Sequence, residues 1–509
     1  MRRAKRERAK RDARTTSTRT WPMASAAIII VAALLRFLYL TRKPLHHDEG
    51  VNGFFLTRLV REGVYRYDPS NYHGPTLYYL ALPLVKLFGL NTWAIRATTA
   101  LFGVFMVWLA LRLKNRVGEI GALAAAALIA VSPGAVFYAR YFIHETLFVF
   151  FTLGAVVAFL RFAETKLNAY LYLAAASSAM LFATKETAFI TAGVLLIALI
   201  LALIFPRLLG SKSENGLATE ALKGKRRELL WPSITALAIF IALAILFYSS
   251  FFTNPRGVTD ALESFKIWSR TGRTDHVKPF WTYLIWLAQE EAPSLALGIA
   301  GSTFILWRRR DPLAWFTLFW ACGIFLAYSL IPYKTPWLTL NIIIPLALLS
   351  GFALEEIRRL RAPLAIAILI VSSLISLYQS VALNFYHYDD ERYPYVYVHT
   401  QRDIFRLVDE IERQASRLGT GKRTSIAVLS PDYWPLPWYL RDYERVGYYG
   451  RTTLTADQML IISPAQEREL PTSFKSNYER AGEYVLRPGV ELILYVARHH
   501  QSARRSTIP

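Results

Sequence analysis

Residues 21–50 read WPMASAAIIIVAALLRFLYLTRKPLHHDEG, twenty mostly apolar positions that run almost directly into four titratable ones. An apolar run of about 20 residues is long enough to cross the hydrocarbon core of a bilayer as a helix. The run follows a basic N-terminal tail, MRRAKRERAKRDARTTSTR, which gives it the layout of a secretion signal. No small-residue cleavage site precedes Arg42-Lys43-Pro44, however, and further apolar runs follow, so it reads as a retained first span.

The pattern repeats along the chain. Runs near that length fall at 21–40, 94–111, 119–137, 145–162, 169–184, 186–205, 230–252, 280–306, 312–331, 336–354 and 362–384. The expectation is an all-α polytopic membrane domain with about eleven transmembrane helices. The stretch 77–90 is apolar but shorter and is interrupted by Pro83 and Lys86, which suits an interfacial or re-entrant helix. Composition agrees: the 509 residues are 54% hydrophobic and only 19% charged, against about 25% charged for a typical soluble domain. The net charge of +22 does not point to nucleic acid, because Lys and Arg sit in short clusters between apolar runs. Cys322 is the one cysteine, so no intramolecular disulfide forms.

Positive charge also sets the expected orientation, since cytoplasmic loops are enriched in Lys and Arg. With the tail 1–20 cytoplasmic, the even connections carry Arg112, Lys114 and Arg116, then Arg161 and Lys166. They continue with Lys223, Lys225, Arg226 and Arg227, then Arg308-Arg309-Arg310, and finally Arg358, Arg359 and Arg361. The short odd connections hold only Arg140, Lys185 and Lys334. This places a multi-pass protein in the cell (plasma) membrane with its C-terminal region extracytoplasmic. The expected domains are the tail 1–20, a transmembrane domain 21–385 with a first outer loop 41–93, an outer domain 386–498, and a disordered tail 499–509. Strand-like runs such as SIAVL (425–429) and VELILYV (490–496), with helical segments between them, make the outer domain a small α/β unit. There is no Gly-rich nucleotide loop, which argues against a cytoplasmic ATP site.

The chemistry-bearing residues gather on the outer connections. His46, His47, Asp48 and Glu49 stand in a row where the first span ends, and Tyr72-His73-Gly74-Pro75 follows in the same loop. They read either as a solvated loop end or as a general base or divalent-metal site, with His46, His47, Asp48 and Glu49 the metal candidates. The other loops are SPGAVFYARYFIHE (132–145), ATKET (183–187) and IPYKTPW (331–337), each with one cation at headgroup depth. A single such cation is ordinarily a snorkelling side chain. Three on the side depleted of positive charge suggest an anionic partner such as a lipid phosphate. Carboxylates with isolated cations fit sugar transfer from a polyprenyl-phosphate sugar to an acceptor hydroxyl. The lipid phosphate is already a good leaving group, so one base and positive charge suffice. Asp48 would be that base, and Arg140, Lys185 and Lys334 the phosphate clamp.

The arrangement resembles the multi-span GT-C glycosyltransferases, in particular the protein O-mannosyltransferase and aminoarabinose-transferase group. The resemblance lies in Asp48-Glu49 in the first outer loop, in His73-Gly74-Pro75 before a juxtamembrane helix, in Arg140 with Glu145, and in Thr184-Lys185. A closer resemblance is to the mannosyltransferase-like membrane family known as flippase-activity-associated. It is carried by HHDEG (46–50), YHGPT (72–76), ARYFIHE (139–145), TKET (184–187) and PYKTPW (332–337), and extends into PYVYV (394–398) and WPLPW (434–438). It implies a polyprenyl-phosphate sugar donor, an inverting reaction, and a protein, lipid or glycan acceptor. It departs from the mannosyltransferases at His144-Glu145, where they carry an Asp. Glu49 would support the base or ligate a metal; His47, His73, His144, Glu145 and Tyr333 would line the site. The alternative is a non-enzymatic flippase component or transporter. That reading needs polar residues deep in the spans, whereas 195–205 and 366–371 are wholly apolar.

Overall fold

The computed structural model describes residues 21–71, 73–208, 226–271, 276–308, 311–453 and 455–498. The basic tail 1–20, Tyr72, Lys223, Lys225, Arg309, Arg310 and the tail 499–509 lie outside the described residues. The chain divides into two compact units, 21–40 with 62–397, and 41–61 with 398–498.

The first unit is helical. Every apolar run identified above is occupied by helix, and among the described residues seven helices are long and apolar enough to cross a membrane: Thr92–Leu111, Glu145–Thr165, Ala188–Phe205, Glu228–Tyr248, Pro312–Leu330, Pro336–Leu360 and Ala362–Tyr386. An eighth candidate is a bent pair, Glu119–Val131 and Pro133–Ala139, which turns by 56°. Trp21–Phe37, Thr76–Phe88 and Ala292–Trp307 are apolar but shorter. The helix Asn168–Phe182 has 15 residues, below the length that spans a bilayer without distortion.

Two expected spans are broken, each for a local reason. The run 119–137 bends at Ser132-Pro133, where proline begins the second helix and the Ser132 hydroxyl accepts from Ala135 N. The run 280–306 is two helices, Thr282–Glu290 and Ala292–Arg308, separated by Glu291. The two breaks are joined, because Ser132 Oγ (2.6 Å) and Gly134 N (2.9 Å) both donate to Glu291 Oε1. A buried carboxylate at that point needs such donors, and the helix start supplies them.

Burial sorts the helices. Leu340–Leu360 is the hub, with nearly every residue up to Glu356 buried. Gly121 and Gly351 face each other closely, as do Gly301 and Leu349, so small residues let these backbones approach. By contrast, Ala188–Phe205, Glu228–Tyr248 and Ala362–Tyr386 expose long apolar faces that include Leu196, Ile200, Leu237, Ile241, Ile370 and Leu374. Such faces are stable only in an apolar solvent, so the chain is a multi-pass membrane protein.

The second unit is α/β. Its five-stranded sheet has the order β2-β1-β3-β5-β4, with β1 (Ser425–Val428), β2 (Arg445–Tyr448), β3 (Met459–Ile462), β4 (Tyr478–Arg487) and β5 (Val490–Ala497). β1 pairs in parallel with β2 and β3, while β5 lies antiparallel to β3 and β4. The amphipathic helix Asp403–Arg417 sends Ile404, Leu407 and Ile411 into a core with Ile426, Val428, Met459 and Leu494. The helix His47–Glu62 belongs to this unit through its segment 47–61 and docks on WPLPW. A Cβ on Gly50 would strike Pro435 at 2.5 Å, and one on Gly53 the Trp438 ring at 2.6 Å. Leu45 N donates to Tyr439 Oη at 2.9 Å.

Candidate functional site

Three of the motifs converge in the first unit. Gly74 N donates to Thr184 O at 3.1 Å, and Thr76 Oγ1 donates to Ala183 O at 2.7 Å, so the segment entering the helix Thr76–Phe88 is tied to the turn 183–187. Gly74 is required there: a Cβ would overlap the Ala183 carbonyl. Beside that seam, His73 Nδ1 lies 2.9 Å from Glu186 Oε2. His144, the residue before the helix Glu145–Thr165, makes a 3.2 Å contact from Nε2 to Gly74 O. A carbonyl only accepts, so Nε2 carries the hydrogen. Lys185 Nζ donates to Glu145 Oε1, which sits in the first turn of its helix, where the macrodipole favours negative charge. YHGPT, ARYFIHE and TKET are thus one cluster.

The electrostatics follow from burial and charge order. Burial alone would lower Lys185, but Glu145 and then Glu186 outweigh it and hold its pKa above the ordinary lysine value. Burial alone would raise Glu186, yet His73 and then Lys185 bring it below the ordinary glutamate range. Burial, reinforced by His73 and Lys185, pushes His144 well below the usual imidazole range, so it is neutral at pH 7. The outcome is a buried ammonium between two carboxylates, with two imidazoles alongside (ring centroids 4.7 Å apart). Such an ammonium suits the stabilisation of an anion that displaces one of its carboxylates.

The remaining predicted residues are placed elsewhere. Arg140 Nη1 donates to the carbonyls of Leu35 (2.8 Å), Leu38 (2.7 Å) and Arg36 (3.4 Å), and Nη2 to Tyr39 O (3.3 Å). It therefore caps the C-terminal end of the helix Trp21–Phe37, with its guanidinium 4.6 Å from the Phe385 ring centroid. Burial and then the charge of Arg96 lower its pKa, but arginine remains protonated. Lys334 is 1% exposed, its Nζ donates to Ile331 O at 2.6 Å, and its backbone N donates to His276 O at 3.0 Å. Tyr333 pairs across a β-bridge with Val277, and its ring meets that of His276 at 5.3 Å. PYKTPW is thus joined to 276–278.

In the second unit, HHDEG begins a helix. His46 N donates to Glu49 Oε2 at 3.0 Å, and Asp48 N donates to His46 Nδ1 at 3.2 Å. Glu49 and His46 are therefore used as caps. Among the described residues no three His, Cys, Asp or Glu side chains come together as a metal site, the cluster of His46, His47, Asp48 and Glu49 included. Asp48 is half-buried, and no side chain of the described residues pairs with its carboxylate. Burial pushes the neighbouring His47 down, against the pull of Asp48. An unpaired carboxylate next to a neutral imidazole can accept a proton.

Sequence reading passed over Glu186, although it sits next to Lys185 in TKET. It also passed over Glu290 and Glu291, whose signal is an acidic pair inside an apolar run.

Comparison with known proteins supports the fold. Residues 72–247 match the family model described as dolichyl-phosphate-mannose-protein mannosyltransferase. That range includes the Lys185 cluster and starts after HHDEG. No curated protein sequence matches the chain. Among solved structures, ArnT from Cupriavidus metallidurans, in the apo state and bound to undecaprenyl phosphate, matches with a TM-score of 0.65 and 14% identity. That match covers 92% of this chain and 97% of that one. The Archaeoglobus fulgidus oligosaccharyltransferase tethered with an acceptor peptide matches with a TM-score of 0.55 and 14% identity, over 84% of this chain and 63% of that one. Arabinofuranosyltransferase AftD from Mycobacteria gives 0.51 and 14%, over 94% and 40%.

Proposed function

We propose, from the premise that this chain has the GT-C glycosyltransferase fold, that it is an inverting transferase of polyprenyl-phosphate-linked sugars. The acceptor oxygen forms a bond to the sugar anomeric carbon as the bond from that carbon to the phosphate oxygen breaks. The acceptor proton passes to Asp48, and the bonding pair leaves with the polyprenyl phosphate. Lys185 is the principal cation for that phosphate, which exchanges with Glu145 as its partner, and Lys334 is the second. Arg140 serves by fixing the end of the first helix, and Glu49 by capping the helix that begins at Asp48. His47, His73, His144, Glu145 and Tyr333 line the machinery. The chain crosses the membrane eleven times, with the shorter and broken helices counted as spans and the reacting groups on the extracytoplasmic side.

The observation that carries this reading is the convergence of YHGPT, ARYFIHE and TKET on one buried lysine. A lipid phosphate needs a positive group held at a helix end, and two carboxylates keep this one protonated. The test uses the purified full-length protein with polyprenyl-phosphate sugars and candidate protein, lipid and glycan acceptors. Transfer is expected from the wild type and should fall by about 10²–10⁴-fold in Asp48→Asn, the usual contribution of a general base. Transfer at full rate in that variant overturns the assignment of Asp48. Lipid scrambling without any transfer overturns the enzyme reading in favour of a transporter.

A further inference from the structure

A cavity of about 310 Å³ in the first unit opens where the helix Ala362–Val381 passes into the π-helical turn Ala382–Tyr386. That volume is at the small end of ligand pockets, the size for one compact polar group. Glu290, the last residue of the helix Thr282–Glu290, stands on its wall. The residue is 4% exposed, and no donor or cation of the described residues reaches its carboxylate. Its two oxygens keep accessible surface, unlike Gln379 Oε1 nearby, so the carboxylate opens into the cavity. A carboxylate held out of bulk water with no donor is costly, and a proton or a cation relieves it. The rest of the lining selects the cation.

Arg392 also lines the cavity, but Asp390 takes it through Nε (2.9 Å) and Nη2 (2.6 Å). The same Asp390 carboxylate lies 3.8 Å from His387 Nδ1. Arg392 and Asp390 cancel where they stand, which leaves Glu290 as the net charge of the wall. An anion is opposed there, and an uncharged ligand would leave the carboxylate uncompensated. Tyr378 and Tyr393 add ring faces, the second stacked on His387 with centroids 5.1 Å apart. An ammonium is attracted to a ring face as well as to a carboxylate. One open carboxylate among tyrosines is the chemistry of an ammonium site.

We propose that this cavity binds an alkylammonium group, held by the Glu290 carboxylate and by the rings of Tyr378 and Tyr393. The amine of a lipid headgroup and a free amine share that chemistry. The wall borders the apolar surface of the helix Ala362–Val381, where Leu374, Ile375 and Tyr378 are all exposed, so a headgroup can enter from the side. The site stands whether or not the chain transfers sugar.

The test is saturation-transfer NMR on the full-length protein in detergent, with ethanolamine as the probe. Ethylene glycol serves as its uncharged counterpart and inorganic phosphate as the anion. Ethanolamine should bind and the other two should not. Glu290→Gln should weaken ethanolamine at least about ten-fold, the worth of a hydrogen bond to a charged group. Asp390→Asn breaks an exposed pair, uncovers the Arg392 charge and should weaken ethanolamine several-fold, which keeps the test decisive if Glu290→Gln does not fold. Native mass spectrometry after incubation with equal phosphatidylethanolamine and phosphatidylglycerol separates the two sources. Preferential retention of phosphatidylethanolamine, lost in Glu290→Gln, assigns the cavity to a headgroup. Ethanolamine binding without that preference assigns it to a free amine. Binding of neither amine, binding of ethylene glycol or phosphate as strongly as ethanolamine, or binding indifferent to both variants each overturns the ammonium site.

Discussion

His73 Nδ1 and Glu186 Oε2 meet at 2.9 Å across 113 residues of sequence, with the Glu186 side chain only 3% exposed. Glu186 and Glu145 both act on Lys185, so the lysine is shared by two buried carboxylates. Removing one partner of a buried ion pair costs about 3–5 kcal/mol, most of it from the charge left behind. Lys185→Met leaves Glu145 without its cation and Glu186 with His73 alone, and is expected to lose at least that much. Glu145→Gln should cost less, because Glu186 still compensates the lysine. The double variant Lys185→Met/Glu145→Gln should recover part of the loss, a coupling read from a double-mutant cycle of unfolding in SDS titration. Additive losses would mean that the pair does not interact.

The buried His144 imposes a pH dependence with a definite sign. Its folded-state pKa lies well below its ordinary 6.5, through burial first and then His73 and Lys185. Below pH 6.5 the unfolded chain takes up a proton that the folded chain refuses, so stability falls as pH falls. One such group contributes a slope of at most about 1.4 kcal/mol per pH unit. Glu186 adds loss in the same direction at lower pH, since its depressed pKa stabilises the fold only above the ordinary glutamate value. In His144→Gln, which keeps an N–H for Gly74 O, the decline between pH 6.5 and 5 should flatten. An unchanged pH profile would assign that decline to other groups.

Gly74 and Gly193 make opposite predictions for the same change. A methyl at Gly74 meets the Ala183 carbonyl, which is backbone and cannot swing aside, whereas at Gly193 nothing lies within 4 Å. Gly74→Ala should separate the His73 segment from the turn 183–187, at a cost of about 1–3 kcal/mol, and lower the activity of the folded fraction. Gly193→Ala lies inside the helix Ala188–Leu208 and should be neutral or stabilising by up to about 1 kcal/mol. Thermal unfolding of the two variants side by side checks both.

The spans were legible because crossing a bilayer demands a long apolar run, and that demand is local in sequence. Short motifs flagged three loops that meet around Lys185 for a similar reason: a lone cation among apolar helices is conspicuous. Partnerships were not legible. Glu186 finds His73, and Glu291 finds Ser132 and Gly134, over separations of 113, 159 and 157 residues, with no periodicity to reveal them. The acidic pair Glu290-Glu291, passed over when 280–306 was read as one run, is where that run breaks. A span continued straight through it would leave a buried carboxylate without donors. The small α/β unit was read from its strand runs, but not that 41–61 belongs with it. Gly50 and Gly53 show why: their role is to let Pro435 and Trp438 approach, a contact made nearly 400 residues away.

Arg140 provides the sharpest separation of two roles for one cation. As a phosphate ligand it would meet an anion, and a lysine in its place would keep the charge. Instead its two terminal nitrogens serve the carbonyls of Leu35, Arg36, Leu38 and Tyr39, where the helix Trp21–Phe37 ends. Those carbonyls have no partner within the helix, and a single ammonium cannot span them as the planar fork does. Arg140→Lys should therefore destabilise the fold by about 1–3 kcal/mol through the acceptors it leaves unmet. In the transfer assay its KM for the polyprenyl-phosphate donor should stay close to that of the wild type. A raised donor KM with unfolding unchanged would instead make Arg140 a ligand of the phosphate.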